Sequence, residues 1–245
     1  TLALSIYGDL DISIIDELPK GRQPIETYKI NGKIRKRAYN YIKKHLDEGR
    51  QGYIICPLVE ESETKLASAQ EYAQKISKED FKDYSVGLLH GQMKACEKDE
   101  VMNDFASGKI QLLVSTVVVE VGVDVPNAVI MLIENAERFG LSQLHQLRGR
   151  VGRGSHKSTC ILLSDTQSPE TLQRLSVLCK TTDGFKIADE DLKLRGPGDF
   201  FGAKQHGLPE LKIADMMEDI EVLHTTGELA RKILKEDNKL EDLQN

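Results

Sequence analysis

Apolar runs of strand length alternate with longer helical patterns through most of this chain, and few architectures accept that order. Residues 52–57 form a continuous apolar run, the pattern of a parallel strand covered by helices on both faces. Residues 25–30, 84–89, 110–116, 128–133 and 159–163 supply five more strand patterns. Helical patterns over 31–48, 61–77, 94–107 and 141–147 lie between them, with Gly49 and Gly108 placed as stops. Strand, helix, strand in repetition stacks βαβ units. The expectation is an α/β fold, a doubly wound parallel sheet sandwiched by helices.

Beyond Ser164 the strand patterns end. Helices are expected over 171–180 and 185–194, joined by the turn Asp183-Gly184, then a Gly/Pro-rich loop to Pro209 and a last helix. On that helix Met216, Ile220, Leu223, Gly227, Ala230 and Leu234 recur three and four apart and share one face. Upstream, residues 1–7 read as helix, 11–18 as strand, and 19–24, with two prolines and a glycine, as a linker. Three regions follow: 1–20, 21–165 and a mostly helical segment, 166–245. Because Thr1 stands where a start Met would and the chain opens inside a helical pattern, we read it as a piece of a longer protein.

The 245 residues suffice for one α/β domain plus something smaller. Cys56, Cys96, Cys160 and Cys179 show no C-x-x-C spacing, which points to free thiols in a reducing cytosol. No apolar run reaches membrane-spanning length and no signal peptide is visible, so no membrane partner is expected. The formal charge of −6 argues against a polyanionic partner only superficially. Between Glu210 and Asn245 lie ten acidic and five basic residues, so most of the excess sits in that tail. Bases gather instead at 33–37, 43–44 and 148–157, and local distribution outweighs the sum.

One of those basic clusters carries an ordered pattern. In residues 143–154 Arg148, Arg150 and Arg153 interleave with Gly149, Gly152 and Gly154. Glycine lets the backbone approach a ligand, and guanidinium forks match phosphate oxygens. A second stretch, 116–127, sets Asp124 between Gly122 and Pro126. A carboxylate there suits a ribose hydroxyl or an arginine fork, and Thr116 at a strand end suits a phosphate. Ligands of open α/β sheets gather at the carboxyl ends of strands, so the loops after 110–116 and 128–133 are expected to share one crevice. No G-x-x-x-x-G-K-[ST] occurs, and 196–204 imitates it with the wrong spacing.

Taken together these stretches resemble the superfamily 2 helicases. Residues 116–127 look like motif V, and Gln146-Leu-Arg-Gly-Arg-Val-Gly-Arg153 looks like motif VI, which carries the family's arginine fingers. Residues 52–62 resemble motif IV, and 89–93 the short motif after it. Residues 183–185 and 192–202, with Gln205 and Gly207, resemble the TRG (translocation) motif shared by RecG helicases and the transcription-repair coupling factor, and Pro197 and the short tail favour RecG.

The resemblance implies a second RecA-like lobe over 21–165, the end of a first lobe over 1–20, and a TRG-like segment over 166–245. It further implies an ATP-dependent DNA helicase or translocase that remodels branched DNA, in a bacterial, nucleoid-associated, cytoplasmic setting. Arg150, Arg153 and Gln146 take catalytic roles in this reading, and Gly122 and Asp124 join the two arginines at the nucleotide. Thr116, Glu120 and His90 fall on the DNA track, with Arg195 and Gln205 in coupling. ATP and Mg2+ are bound mainly by a first RecA-like lobe, which with a wedge domain is the expected partner within the same protein, and no metal site is expected in this chain. The alternatives are a transcription-repair coupling translocase, or a non-catalytic nucleotide- or nucleic-acid-binding module.

Overall fold

A computed structural model describes residues 23–57, 63–116, 124–195 and 220–236 of the chain. The expected helix at 1–7, strand at 11–18 and Gly/Pro-rich loop before Pro209 lie outside them. Packing divides the chain into two units, 19–201 and a second made of 1–18 with 202–245.

In the first unit six strands form one sheet: β1 (Ile25–Ile30), β2 (Gln51–Cys56), β3 (Val86–Leu89), β4 (Leu112–Thr116), β5 (Ala128–Ile133) and β6 (Ser158–Leu163). Their order is β1-β6-β5-β2-β4-β3, and every pairing is parallel. Helices α1 (Arg35–Asp47), α2 (Glu63–Glu79), α3 (Ala95–Ala106), α4 (Leu141–Arg148), α5 (Pro169–Lys180) and α6 (Gly184–Arg195) make the connections and the covering layers.

Period-two alternation sends neighbouring strand residues to opposite faces, and in β2, β4, β5 and β6 both faces are dry, whereas edge strand β1 exposes Glu26 and Tyr28. Tyr53, Ile55, Leu113, Met131, Ile133, Cys160 and Leu162 meet α3, α4, α5 and α6 in one core. Ile54, Cys56, Leu112, Val114, Ile130, Leu132, Ile161 and Leu163 meet α1 and α2 in the other. This is why the central strands read as unbroken apolar runs. Leu175 and Leu178 of α5 and Ile187 of α6 belong to the first core, so packing continues past residue 165 without a break.

Local chemistry matches the boundaries to within a residue or two. Gly49 and Gly108 follow α1 and α3 with φ of +76° and +82°, conformations that cost an L side chain and cost glycine nothing. The helix expected from Asn31 begins instead as a 3-10 turn, Gly32–Ile34, before α1. Asp165 explains the tighter start: its carboxylate accepts from the Gly32 N–H at 2.7 Å, which ties the turn to the end of β6.

In the second unit α7 (Ile220–Glu236) is the described element. Val222, Leu229 and Leu234 are exposed along it.

Phe105 anchors the first core, fully buried with its ring 4.9 Å from that of Tyr53. Phe105→Ala should lower the stability of this unit by about 3–5 kcal/mol, read from denaturant unfolding.

Candidate functional site

In a parallel sheet each connection must return the chain from the carboxyl edge to the amino edge before the next strand begins. α4 makes that return between β5 and β6. Leu141, Leu144 and Leu147 anchor it to the core, and Gln143 accepts from the Gly140 N–H at its start. The residues after α4 therefore emerge at the amino edge, just ahead of β6.

Gly152 carries the turn there with φ +75°. Gly154 lies so close to the chain before β5 that an added Cβ would stand 2.5 Å from the Pro126 carbonyl oxygen. This approach brings Arg153 to Asp124: Nη1 lies 3.4 Å from Oδ1, with side-chain exposures of 32% and 55%. Arg153 Nε also donates to the Gly149 carbonyl at 3.1 Å. Arg150 is half-buried beside them, and no bond of its guanidinium to another described residue is found. Both arginines and Asp124 act electrostatically on the buried Tyr53 phenol, which burial holds far above its ordinary range. Gln146 is exposed on α4.

Arg148, the third arginine of the run, does something else. It is 3% exposed and donates to the Leu178 and Thr181 carbonyls at 2.8 and 2.9 Å, with Nη2 2.9 Å from His145 Nδ1. It staples α4 to the carboxyl end of α5. His145 in turn abuts the start of α6, where an added Cβ on Gly184 would lie 3.1 Å from Nε2.

The shared crevice expected at the carboxyl ends is not where these groups meet. Asp124 precedes β5 by four residues and so stands at its amino end, with Arg150 and Arg153. Thr116 ends β4 at the opposite, carboxyl edge. The carboxyl edge holds a different set. Thr116 ends β4 with its hydroxyl buried and unbonded among the described residues. His90 follows β3, half-buried, with Nδ1 unbonded among the described residues and its pKa held down by burial and by Lys98. Its backbone N–H points to the Met93 sulfur at 3.4 Å. Glu120, Gly122 and Gln205 lie outside the described residues. Arg195 ends α6, and its side chain is likewise not described.

At the carboxyl end of central strand β5 sits a network that sequence reasoning missed. Glu134 follows β5, and its N–H donates to the Ile55 carbonyl at 2.8 Å. Its carboxylate accepts from Tyr72 at 2.7 Å and Tyr39 at 3.4 Å and pairs with Arg35 at 3.0 Å. Burial raises the Tyr39 phenol to about 12. The available signal was an acid placed directly after an apolar run. Arg148 was equally legible, since Leu141, Leu144 and Arg148 share a helical face.

Among the described residues no cluster of His, Cys, Asp or Glu could hold a metal ion, and no helix is long and apolar enough to cross a membrane. The two kinds of arginine should separate on mutation. Arg148→Ala strips hydrogen bonds from buried carbonyls and should cost about 2–4 kcal/mol in denaturant unfolding. Arg150→Ala should stay within about 0.5 kcal/mol of the parent.

Residues 33–155 match the helicase conserved C-terminal domain, and 181–245 match the C-terminal part of domain 3 of the ATP-dependent DNA helicase RecG. The chain is 51% identical to the RecG helicase of Synechocystis over 98% of its length, and 49% identical to that of Bacillus subtilis over 97%. It covers 29% and 35% of those relatives, so it spans about a third of their length. The solved structure of RecG bound to a three-way DNA junction superposes with a TM-score of 0.72 at 45% identity, over 91% of this chain and 28% of that one. The parallel sheet with helices on both faces is the RecA-like lobe of this family, and the chain belongs to the RecG branch of the helicases, as a segment carrying the helicase C-terminal domain.

Proposed function

We propose that this chain is the second-lobe half of an ATP-driven DNA motor that remodels branched DNA, such as stalled forks and Holliday junctions. The observation that carries the reading is the state of Arg150 and Arg153 at the amino edge. Arg153 is held by one exposed hydrogen bond to the Gly149 carbonyl and by a long, solvent-exposed ion pair, of a kind worth about 0–1 kcal/mol. Arg150 carries no such restraint among the described residues. Two half-free guanidinium groups on a rigid edge suit an anion brought by another surface.

Phosphoryl transfer supplies that anion, since charge spreads over the transferred group and an arginine from a second lobe stabilises it. In this reading Arg150 and Arg153 contact the terminal phosphates, Gln146 orients the phosphate or the attacking water, and Asp124 with Gly122 faces the nucleotide. Asp124 holds Arg153 until the anion replaces it. ATP and Mg2+ bind mainly to a first RecA-like lobe in the same protein. The chain alone is then inactive.

Thr116, Glu120 and His90 form the DNA track by backbone contact, which moves along a duplex without reading sequence. Arg195 and Gln205 pass closure to the DNA in a TRG-like segment, taken to run over 166–245 after a lobe over 21–165 and a first-lobe remnant over 1–20. The staple through Arg148 and His145 supports such a path, because it joins the finger helix to α5 and to the first turn of α6. A wedge domain, a cytoplasmic setting and association with the nucleoid complete the proposal.

In the longer protein, Arg153→Ala should leave folding and DNA binding intact and lower DNA-stimulated ATP turnover by about 10³-fold or more. Near-normal turnover would remove Arg153 from the role. The isolated chain should release no phosphate from ATP with or without DNA, checked by a coupled phosphate assay.

A further inference from the structure

We infer that Arg35 is a backbone-phosphate contact on the carboxyl edge, with buried Glu134 as its built-in counter-anion. The inference rests on the proposal that this edge meets DNA, and it adds a residue that no motif assigns.

Glu134 sits in the middle of that edge, its backbone locked to β2 through the Ile55 carbonyl. Its side chain is 5% exposed, whereas that of Arg35 is 35% exposed. The pair is thus one-sided: the carboxylate is sealed and the guanidinium opens to solvent. Tyr72 and Tyr39 also bond Glu134 Oε1, leaving Oε2 for Arg35 Nη2. A carboxylate so served does not need the whole fork. A guanidinium has five N–H donors, and the bond to Glu134 uses one face of them. The remaining donors suit a phosphate arriving from solvent.

In the sequence, residues 33–37 form one of the basic clusters. The structure separates them. Lys33, Lys36 and Arg37 are exposed, while Arg35 turns inward to the end of β5. A cation positioned by a buried acid has lost much of its rotamer freedom before a ligand arrives, which lowers the cost of binding. The same acid tempers the attraction, so the contact can be released as the motor steps.

Opposite signs make the test sharp. The probe is a fluorescently labelled mixed-sequence DNA duplex, titrated with the 245-residue chain at several salt concentrations. Glu134→Gln removes the counter-anion and should tighten binding about threefold. Arg35→Ala would strand a buried carboxylate and risks unfolding. The informative variant is therefore the double Arg35→Met, Glu134→Gln, which leaves no buried charge. It should bind about tenfold more weakly than Glu134→Gln, and its log–log salt slope should be shallower by about 0.9. Thermal unfolding of each variant confirms that it is folded.

If the parent chain binds DNA with an ordinary salt slope but the double variant equals Glu134→Gln, the inference falls and the DNA edge stands. If Glu134→Gln fails to tighten binding, the counter-anion role falls. If the parent chain shows no salt-dependent binding, the DNA-edge reading itself is wrong and takes the inference with it.

Discussion

Parallel pairing is the constraint on which the rest of this molecule depends. Every strand runs the same way, so each connection must carry the chain back across a face of the sheet. Those returns produce the two helical layers, which keep both faces of the inner strands dry and demand apolar residues at successive positions there. They also decide where polar groups can appear. The inner strands have no free face, so most charge gathers at the two ends of the strands, on edge strand β1 and on helix surfaces, and the buried Arg148 is held by carbonyls. Arg150, Arg153 and Asp124 stand at one edge; Thr116, His90, Glu134 and Arg35 stand at the other.

Three environments distinguish the arginines more sharply than their spacing does. Arg148 is 3% exposed and bonded to backbone carbonyls of another helix. Removing it would leave those carbonyls unpaired in a low-dielectric core, where the penalty is large. Arg153 is on the surface with one exposed hydrogen bond to the Gly149 carbonyl and one long ion pair, so modest free energy opposes its release. Arg35 stands between these extremes, anchored on its buried side and hydrated on the other. A guanidinium does structural or functional work according to how many of its donors the fold has already satisfied.

The sheet was legible because burial on two faces leaves an unmistakable run such as residues 52–57, and because glycines closed α1 and α3 where helix stops belong. Arg150 and Arg153 stood out by their glycine spacing. What stayed hidden was the pairing of residues far apart in the chain. Arg35 lies 99 positions from Glu134, and nothing local distinguishes it from Lys33 or Arg37. Asp124 was expected at the carboxyl edge because its loop begins there. The loop ends at the opposite edge, and a rule about where ligands gather does not say which end of a loop carries the side chain.

α4 joins the two edges. It has eight residues, a length of about 12 Å at the usual helical rise. Glu134 stands just before the turn into it, and Arg150 just after its end. The turn contains Asn135 with φ of +46°, the one non-glycine residue in the left-handed region among the described residues. Asparagine tolerates that conformation at modest cost, and the next turn, Ala136–Arg138, is held by Arg174 through the Glu137 carbonyl. A helix this short, packed along one side and bonded at both ends, transmits displacement as a unit and has little room to absorb it by bending. In the proposed motor, a change in how Glu134 is paired therefore reaches the finger arginines through a single rigid element. That element is the same one whose Arg148 grips α5, so the carboxyl edge, the amino edge and the approach to α6 share one mechanical part.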